Sequence, residues 1–356
     1  MAKKREYYNI TNLLETKAQY MVMLGKRANG KSYQTKLTCL TDAYKNKNKF
    51  VYLRRYIADI KQKDVTSYFD DMPIKKITNK RWSSVIAMYG YIYFCNRDED
   101  GKIKEKEEIG RYCALNEAVR YKSQVFKDYY NIIYEEFITD EMYLYNEPTI
   151  LQHFVSTVLR LNEGRVFLIG NTLSRVCPYF NEWCLEGVLK QKQGTIEIYH
   201  FHVDDGTGND SIVNIAVEQC ANTVNENTMF FGQASKQILT GEWDVKDLPK
   251  LPKKQYEYEK IYELVVEYQS FKFVVELLVE PVDGGILLFV YPLTSKRNIY
   301  RIITEKFSDK PNITSRLDLS RKPEKMIYDC LKMNKICYSD NLTGTDFMKC
   351  KQRLML

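Results

Sequence analysis

The chain has 356 residues, of which 28% are charged, and a formal net charge of +7. This length exceeds what one hydrophobic core usually holds, so we expect two domains. The first residues lead into no signal-like apolar segment, and no run of about 18 uncharged apolar residues occurs, which predicts a soluble, unexported protein with no membrane partner. The nine cysteines include no C-x-x-C pair, which indicates reduced thiols rather than zinc ligands or disulfides.

The positive charge is concentrated at both ends of the chain. Residues 1–64 hold 15 Lys and Arg against 5 Asp and Glu, and residues 296–356 hold 14 against 7. Solvated surface is one explanation of such basic segments, and a polyanionic partner is the other. The 28 tyrosines are spread through the predicted strands, which is typical of half-buried sheet positions.

The most informative segment is Gly25-Lys26-Arg27-Ala28-Asn29-Gly30-Lys31-Ser32, which fills the pattern G-x-x-x-x-G-K-[ST]. An apolar strand over 20–24 precedes it and a helical segment over 33–40 follows, as a phosphate-binding loop requires. In such a loop the backbone N–H groups face the phosphates, Lys31 reaches the β and γ oxygens, and the Ser32 hydroxyl binds Mg²⁺. A glycine-rich turn with solvated lysines is the alternative. We expect Lys31 at the solvent edge and not in the core.

Two β-rich segments follow the loop. A short strand over 50–53 ends in Arg54 and Arg55, at the edge where ligands bind in open α/β sheets. The run from Val85 to Cys95 leads into a turn, which predicts an inserted hairpin with Asp100-Gly101 at its tip.

A strand over 130–134 ends in two adjacent carboxylates, Glu135 and Glu136, in the arrangement of a Walker B motif. The first acid of such a pair holds the hydration shell of Mg²⁺, and the second orients or deprotonates the attacking water. A solvated strand end is the alternative. The first position is usually Asp, so Glu135, which is longer by one methylene, is expected to bind Mg²⁺ through a shifted water.

A helix is predicted to start at Glu147-Pro148 and to end at Arg160, because apolar residues recur at helical spacing between them. The next strand, over 165–172, ends in Gly-Asn-Thr. Asn171 leaves this strand where it could sense a γ-phosphate, and a plain Gly-Asn turn is the alternative.

Over about residues 15 to 185 this succession, together with Lys122-Ser123, Thr157–Arg160 and Pro178–Phe180, resembles the DNA-packaging ATPases of phi29-like bacteriophages. The resemblance implies an α/β P-loop ATPase of the additional-strand, catalytic-glutamate (ASCE) class, with a central, mainly parallel sheet. It implies ATP and Mg²⁺ as cofactors. It also implies a homopentameric ring at the portal of a procapsid, in the cytoplasm of the infected bacterium, that drives double-stranded DNA inward. A structural packaging RNA is left open as a further partner.

The resemblance also implies active-site residues, which are Lys31 and Ser32 of Walker A, Glu135 and Glu136 of Walker B, and the sensor Asn171. Arg160 matches the arginine finger of the family, which reaches the nucleotide of the neighbouring subunit. Lys122 matches a further basic residue of the active site.

Beyond residue 200 the predicted elements are a turn cluster at 204–210, a helix within 211–225, an extended basic connector at 247–254, strands at 262–268, 271–279, 285–291 and 299–307, and a helix at 323–335. The domains are therefore predicted as an ATPase domain at 1–205, a linker region at 206–255 and an α+β domain at 256–356. In the family this last domain resembles an RNase H-like nuclease that has lost its active site, so we expect it to bind nucleic acid or procapsid.

Three other functions are alternatives to a DNA-packaging ATPase. A terminase-like enzyme with an active C-terminal nuclease is the main alternative, and its metal ligands would be drawn from Glu276, Glu280, Asp283 and Asp318, of which only Glu276 lies inside a predicted apolar strand. A GTPase would need an N-K-x-D motif after Walker B, which the sequence lacks. A non-enzymatic DNA-binding protein with a decayed P-loop is the third, and ATP turnover separates it from the others.

Overall fold

The computed structural model describes residues 8–160, 163–204, 210–221, 243–295, 297 and 299–355. These residues divide into two compact units. Unit 1 comprises residues up to 173 and from 182 to 221, and unit 2 comprises residues 174–181 and those from 243 onward. None of the helices in the described ranges is long and apolar enough to cross a bilayer.

Unit 1 is built on a nine-stranded sheet of order β3-β4-β5-β2-β6-β7-β1-β9-β8. Its strands are β1 (Tyr20–Gly25), β2 (Lys49–Arg54), β3 (Ser84–Met88), β4 (Tyr91–Arg97), β5 (Ile103–Ala114), β6 (Tyr129–Glu135), β7 (Arg165–Asn171), β8 (Thr195–Asp204) and β9 (Asp210–Gln219). The six strands from β5 to β9 in this order are parallel, and β3, β4 and β8 are antiparallel to their neighbours. The predicted α/β class with a mainly parallel sheet is confirmed.

Strand β7 lies between β1, which leads into the P-loop, and β6, which ends at the Walker B acids. This additional strand is the feature that names the ASCE class, so the predicted class of P-loop fold is confirmed. Residues 166–169 of β7 and 21–24 of β1 are buried without interruption. Continuous burial is expected of parallel strands that are covered on both faces.

The helices of unit 1 are α1 (Thr11–Glu15), α2 (Lys31–Lys45), α3 (Gln62–Ser67), α4 (Ile74–Ile77), α5 (Ala118–Tyr121) and α6 (Glu147–Leu159), with short helical turns at Ile57–Asp59, Leu115–Glu117 and Glu186–Leu189. Helix α6 begins and ends as predicted. Its buried side chains include Leu151, Phe154, Val155 and Val158, which follow the predicted apolar stripe.

The predicted hairpin is confirmed at its tip, and the structure adds a second hairpin turn before it. Gly101 has a φ of 78° between β4 and β5, and the carboxylate of Asp98 accepts a hydrogen bond from the backbone N–H of Lys102 at 2.7 Å. The run from Val85 to Cys95 is not one strand, because Tyr89 and Gly90 both have positive φ, 50° and 88°. Two successive residues with positive φ make a tight hairpin turn, which divides the run into β3 and β4.

The helix predicted within residues 211–225 is wrong, since residues 210–219 form strand β9, parallel to β1. Ile215, Ala216 and Val217 are buried in succession, as in a strand covered on both faces, so the helical spacing of apolar residues there was coincidental. The first sheet therefore extends beyond the predicted domain boundary at 205 and into the predicted linker. Residues 205–209 of the predicted turn cluster lie outside the described residues.

Unit 2 contains a six-stranded sheet of order β14-β13-β10-β11-β12-β15. Its elements are β10 (Glu259–Tyr268), β11 (Phe271–Val279), β12 (Ile286–Pro292), β13 (Ile302–Thr304), β14 (Ile313–Thr314), β15 (Ile336–Tyr338), helices α7 (Pro178–Glu182, its first four residues), α8 (Lys322–Lys332) and α9 (Asn341–Met355), and a helical turn at Gln255–Glu257. Strands β10 to β12 form an antiparallel meander, and β13 pairs parallel to β10. The predicted α+β class is confirmed, although β13 is shorter than predicted, and β14, β15 and α9 were not predicted.

Candidate nucleotide site

The P-loop connects the end of β1 to the start of α2, as the sequence predicts. Gly25 and Gly30 have φ values of 146° and 102°, and Ala28 has a φ of 57°. Only glycine adopts the first two conformations without strain, which explains its presence at both ends of the pattern. The left-handed backbone of Ala28 is a strained conformation of the kind that clusters at binding sites.

Lys31 is a buried residue, with 4% of its surface exposed, so the prediction of a solvent-edge position is wrong. Its Nζ donates hydrogen bonds to the carbonyl oxygens of Gly25 at 3.2 Å and Lys26 at 2.7 Å, and to Asn29 Oδ1 at 3.3 Å. Burial lowers the pKa of the Lys31 ammonium to about 8. The loop thus encloses its lysine by accepting hydrogen bonds from it.

Asn29 is another buried polar side chain of the loop, at 1% exposure. Its Oδ1 accepts from the backbone N–H of Lys31, whereas its Nδ2 has no hydrogen-bond partner among the described residues. A buried amide donor without a partner is costly, and a bound oxyanion would satisfy it. The loop therefore fits a phosphate group, whose oxygen would accept from this unpaired donor.

The N-terminal segment and β9 support the loop from behind. The backbone N–H of Tyr8 donates to the carbonyl of Asn29 at 3.0 Å, and its hydroxyl donates to Glu218 of β9 at 2.6 Å. Burial raises the pKa of both the Tyr8 hydroxyl and the Glu218 carboxyl. Neither residue was singled out from the sequence, because 210 positions separate them and no local pattern links them.

The two Walker B acids have different surroundings. Glu135 is buried at the end of β6, where the hydroxyl of Tyr68 donates to its Oε1 at 2.5 Å. Burial raises the pKa of the Glu135 carboxyl, and the Tyr68 hydrogen bond and the Ser32 side chain oppose the rise. Glu136 has a φ of 56° and an exposed carboxylate, which accepts a hydrogen bond from Arg54 Nη2 at 2.6 Å.

Arg55 fixes the backbone that follows the Walker B acids. Its guanidinium forms a buried double ion pair with Glu147, at 2.7 and 3.0 Å, and also donates to the carbonyls of Glu136 at 3.2 Å and Phe137 at 2.6 Å. The Tyr134 hydroxyl donates to the same glutamate at 2.7 Å. The sequence placed both arginines at the end of β2, on the ligand edge of the sheet, and their partners are seen only in the fold.

The P-loop, the two acids and Asn171 line one cavity of about 780 Å³. Its lining consists of Arg27, Ala28, Asn29, Gly30, Lys31, Ser32, Tyr33, Gln34, Lys36, Asp71, Glu135, Glu136, Ile169, Gly170 and Asn171. Asn171 lies there because it ends β7 opposite Gly25 of β1. The fold therefore brings together the predicted Walker A, Walker B and sensor residues, and it adds Lys36 and Asp71, whose ion pair at 2.5 Å the sequence did not predict.

Arg160 and Lys122 are not among the residues that line this cavity. Arg160 follows α6 and precedes β7, and Lys122 follows α5 and precedes β6, so both lie at the edge of the sheet where the parallel strands begin. The cavity lies where the strands end, and a strand of seven residues such as β7 spans about 20 Å. Arg160 Nη2 donates to the carbonyl of Gln124 at 3.2 Å. Neither residue is placed to contact a nucleotide in its own subunit.

The four acids considered for a nuclease site in unit 2 have separate partners. Glu276 accepts from Gln255 Nε2 at 2.5 Å and from the Tyr291 hydroxyl at 2.8 Å. Glu280 pairs with Lys253, Asp283 accepts from the backbone N–H of Gly285, and Asp318 bonds to Ser320. Within the described ranges, no group of three or more His, Cys, Asp or Glu is arranged to hold a metal ion.

In the parallel sheet, β1 leads through G-x-x-x-x-G-K-S into helix α2. Two acids follow at the end of β6, and β7 lies between β6 and β1. This arrangement defines a P-loop nucleotide-binding protein of the ASCE class. A comparison with protein families identifies the family within this class. A family model described as Podovirus DNA encapsidation protein (Gp16) matches residues 1–200, and the chain belongs to that family.

Curated relatives agree over the same region. The chain is 26% identical over 181 residues to the DNA packaging protein of Bacillus phage phi29, and 29% identical over 162 residues to that of Bacillus phage B103. The first match covers 50% of both chains, and the second 44% of this chain and 46% of the relative. The chain thus spans about half the length of the curated relatives it matches.

Solved structures resemble the chain over both units. The bacteriophage Phi-29 viral genome packaging motor assembly matches with a TM-score of 0.56 over 98% of this chain and 99% of that one. The Phi-28 gp11 DNA packaging motor matches with a TM-score of 0.53 over 99% of both. Sequence identity is 18% in each case, so these matches establish the fold alone.

Proposed function

We propose that this chain is the ATPase of a viral DNA-packaging motor, which hydrolyses ATP in a homomeric ring and drives double-stranded DNA into a procapsid. The observation that carries this proposal is the single cavity lined by Lys31, Ser32, Glu135, Glu136 and Asn171. The family of the chain and the names of its relatives support the DNA-packaging role.

The cavity has the groups that bind a nucleoside triphosphate with Mg²⁺. Lys31 and the Asn29 amide supply donors for phosphate oxygens, and Lys31 exchanges its bonds to loop carbonyls for them. Ser32 and Glu135 both line the cavity and supply the hard oxygen ligands that Mg²⁺ prefers. When bound, Mg²⁺ neutralises charge on the transferring phosphoryl group.

Glu136 is the general base in this proposal, because its carboxylate reaches the cavity and is exposed to water. Arg54 holds that carboxylate at 2.6 Å, so Glu136 must leave Arg54 before it can orient the attacking water. Arg55 keeps the backbone of Glu136 in place through its carbonyl while the side chain moves. Asn171 is the sensor of the γ-phosphate.

Arg160 is the arginine finger and Lys122 a further basic group, and both act on the nucleotide of the neighbouring subunit. Their position on the edge opposite the cavity supports action in trans. A ring of repeated head-to-tail contacts places the finger edge of one subunit at the cavity edge of the next. We propose a pentamer that binds the portal, with a packaging RNA as a candidate partner, acting in the cytoplasm of the infected host.

The domains of this proposal are an ATPase domain that includes β9, a connector that follows it, and a C-terminal domain from about residue 256 that binds nucleic acid or procapsid. Basic charge in residues 296–356, 14 Lys and Arg against 7 Asp and Glu, supports that binding.

The experiment that tests the proposal measures ATP hydrolysis by the full chain with and without double-stranded DNA and procapsids. Turnover is expected to depend on Mg²⁺, and Lys31→Ala is expected to reduce it at least 100-fold, since P-loop donors position and stabilise the transferring phosphoryl group. Lys45→Ala, an exposed lysine near the end of α2, is the matched control and should behave as the wild type. Equal turnover by Lys31→Ala and the wild type would disprove the P-loop assignment.

A further inference from the structure

Glu135 is held from outside the cavity by one tyrosine. The Tyr68 hydroxyl donates to Glu135 Oε1 at 2.5 Å, although 67 positions separate the two residues. Tyr68 follows helix α3 and is not among the residues that line the cavity, whereas Glu135 is. The Tyr68 hydroxyl therefore acts on bound nucleotide through the Glu135 carboxylate.

The ring of Tyr68 is fixed on several sides. Its centroid lies 4.5 Å from that of Tyr52 and 5.0 Å from that of Phe69, and the Lys36 ammonium lies 4.5 Å from it. Lys36 Nζ also donates to the backbone carbonyl of Tyr68 at 2.6 Å. Ring and backbone are thus both restrained, so the hydroxyl reaches Glu135 without an ordering cost at the time of binding.

The hydrogen bond from Tyr68 restrains Glu135, a glutamate at a position where aspartate is usual. A glutamate has one more rotatable bond than the aspartate usual in Walker B, and its carboxylate can therefore take more positions. The Tyr68 hydroxyl fixes one of the two oxygens of Glu135, and both Glu135 and Ser32 line the cavity. The carboxylate is thereby oriented by a donor that lies outside the nucleotide site.

We propose that Tyr68 is a positioning residue for Mg²⁺: its hydroxyl orients the Glu135 carboxylate toward the metal of the bound Mg²⁺–nucleotide. This inference rests on the proposed nucleotide site, and it adds a residue from outside both Walker motifs. Partners that orient metal ligands in this way are worth about 10–100-fold in metal affinity.

The test is a Mg²⁺ titration of the full chain with a fluorescent, non-hydrolysable ATP analogue at fixed concentration. Tyr68→Phe keeps the ring and removes only the hydroxyl, and it is expected to raise the Mg²⁺ concentration for half-maximal binding about tenfold or more. Binding of the analogue in excess EDTA is expected to match the wild type. A purely structural role of Tyr68 would weaken binding in both conditions.

Tyr129→Phe is the matched control, because Tyr129 is a buried tyrosine of unit 1 that donates to another glutamate, Glu108, at 3.0 Å and does not line the cavity. It is expected to leave the Mg²⁺ requirement within about twofold of the wild type. Glu135→Asp breaks the same hydrogen bond, because the shorter side chain holds its carboxylate farther from the Tyr68 hydroxyl. This variant should also raise the Mg²⁺ requirement, and adding Tyr68→Phe to it should cause no further change.

An unchanged Mg²⁺ requirement in Tyr68→Phe would overturn the inference, and if that variant did not fold, an unchanged requirement in Glu135→Asp would overturn it. Failure of the proposed function itself has a different signature. In that case the wild type would show no Mg²⁺-dependent binding of the analogue, or Lys31→Ala would bind it as well as the wild type.

Discussion

Arg160 and Asn171 lie on opposite edges of the same sheet, because Arg160 precedes strand β7 and Asn171 ends it. The seven residues of the strand separate the two edges by about 20 Å. Asn171 lines the nucleotide cavity, and Arg160 bonds to the carbonyl of Gln124 at the other edge. The chain thus carries the nucleotide cavity on one edge and the proposed finger on the other, which is the polarity that the proposed head-to-tail ring requires.

The two Walker B acids should differ in the step that they affect. Glu136→Gln keeps the shape of the side chain and removes the base, so ATP binding should persist while kcat falls about 10²–10⁴-fold. Glu135→Ala removes an oxygen ligand, so binding of the Mg²⁺–nucleotide should weaken. Single-turnover hydrolysis together with equilibrium binding separates the two effects. Hydrolysis at the parent rate by Glu136→Gln would assign water activation to another residue.

Unit 2 is expected to contribute nucleic-acid binding without cleavage. In the full chain, Glu276 is occupied by hydrogen bonds from Gln255 and Tyr291, and the other candidate acids have partners of their own. We therefore expect DNA binding that weakens steeply with salt and no nicking of supercoiled DNA in Mg²⁺ or Mn²⁺. Metal-dependent nicking that is lost in Glu276→Ala would instead favour the terminase-like enzyme with an active nuclease.

The stability of unit 2 should depend on the protonation of Asp346. Burial raises the pKa of this carboxyl from 3.8 to about 6, although Arg175 pairs with it at 3.1 Å. The folded chain thus binds this proton more tightly than the unfolded chain does. The contribution to the free energy of unfolding is therefore fully present below about pH 4 and is lost as pH rises through 6, by about 3 kcal/mol at most.

Asp346→Asn removes this titration, so the variant tests the sign of the pH dependence of stability. The stability of the wild type relative to Asp346→Asn should decline from pH 4 to pH 7, measured by hydrogen exchange of unit 2 peptides with correction for intrinsic rates. Asp309→Asn, an exposed aspartate of the same unit, should show no such slope. A relative stability that rises with pH would contradict the raised pKa.

Local patterns in the sequence predicted much of the nucleotide site. The spacing of Gly25, Gly30 and Lys31 defines a loop whose neighbours in the chain are also its neighbours in space. Strands β6 and β7 were predicted because continuous apolar runs mark buried parallel strands, and polar residues after them mark their carboxyl ends. Asn171 and Glu136 reach the cavity for this reason.

Contacts between residues that are far apart in the sequence have no such local pattern. Tyr68 is one of 28 tyrosines, and nothing near it in the sequence indicates that it faces Glu135. The buried ion pair of Arg301 and Glu324, with both side chains at most 2% exposed, is likewise formed by charged residues that look solvated in sequence. Lys31 was predicted at the solvent edge, and the fold instead buries it against carbonyls of its own loop, as a buried lysine requires partners.

The ATPase activity of rings mixed from Arg160→Ala and Lys31→Ala subunits tests most directly whether Arg160 acts on the nucleotide of the neighbouring subunit. An arginine finger supplied in trans is worth about 10³–10⁵ in rate, so each variant alone should be nearly inactive while still assembling. In mixed rings, an intact P-loop of one subunit meets an intact Arg160 of the next, and turnover should rise to a maximum at intermediate mixing ratios. If ring assembly is confirmed and no ratio restores turnover, Arg160 does not act between subunits, and catalysis by a finger in trans is contradicted.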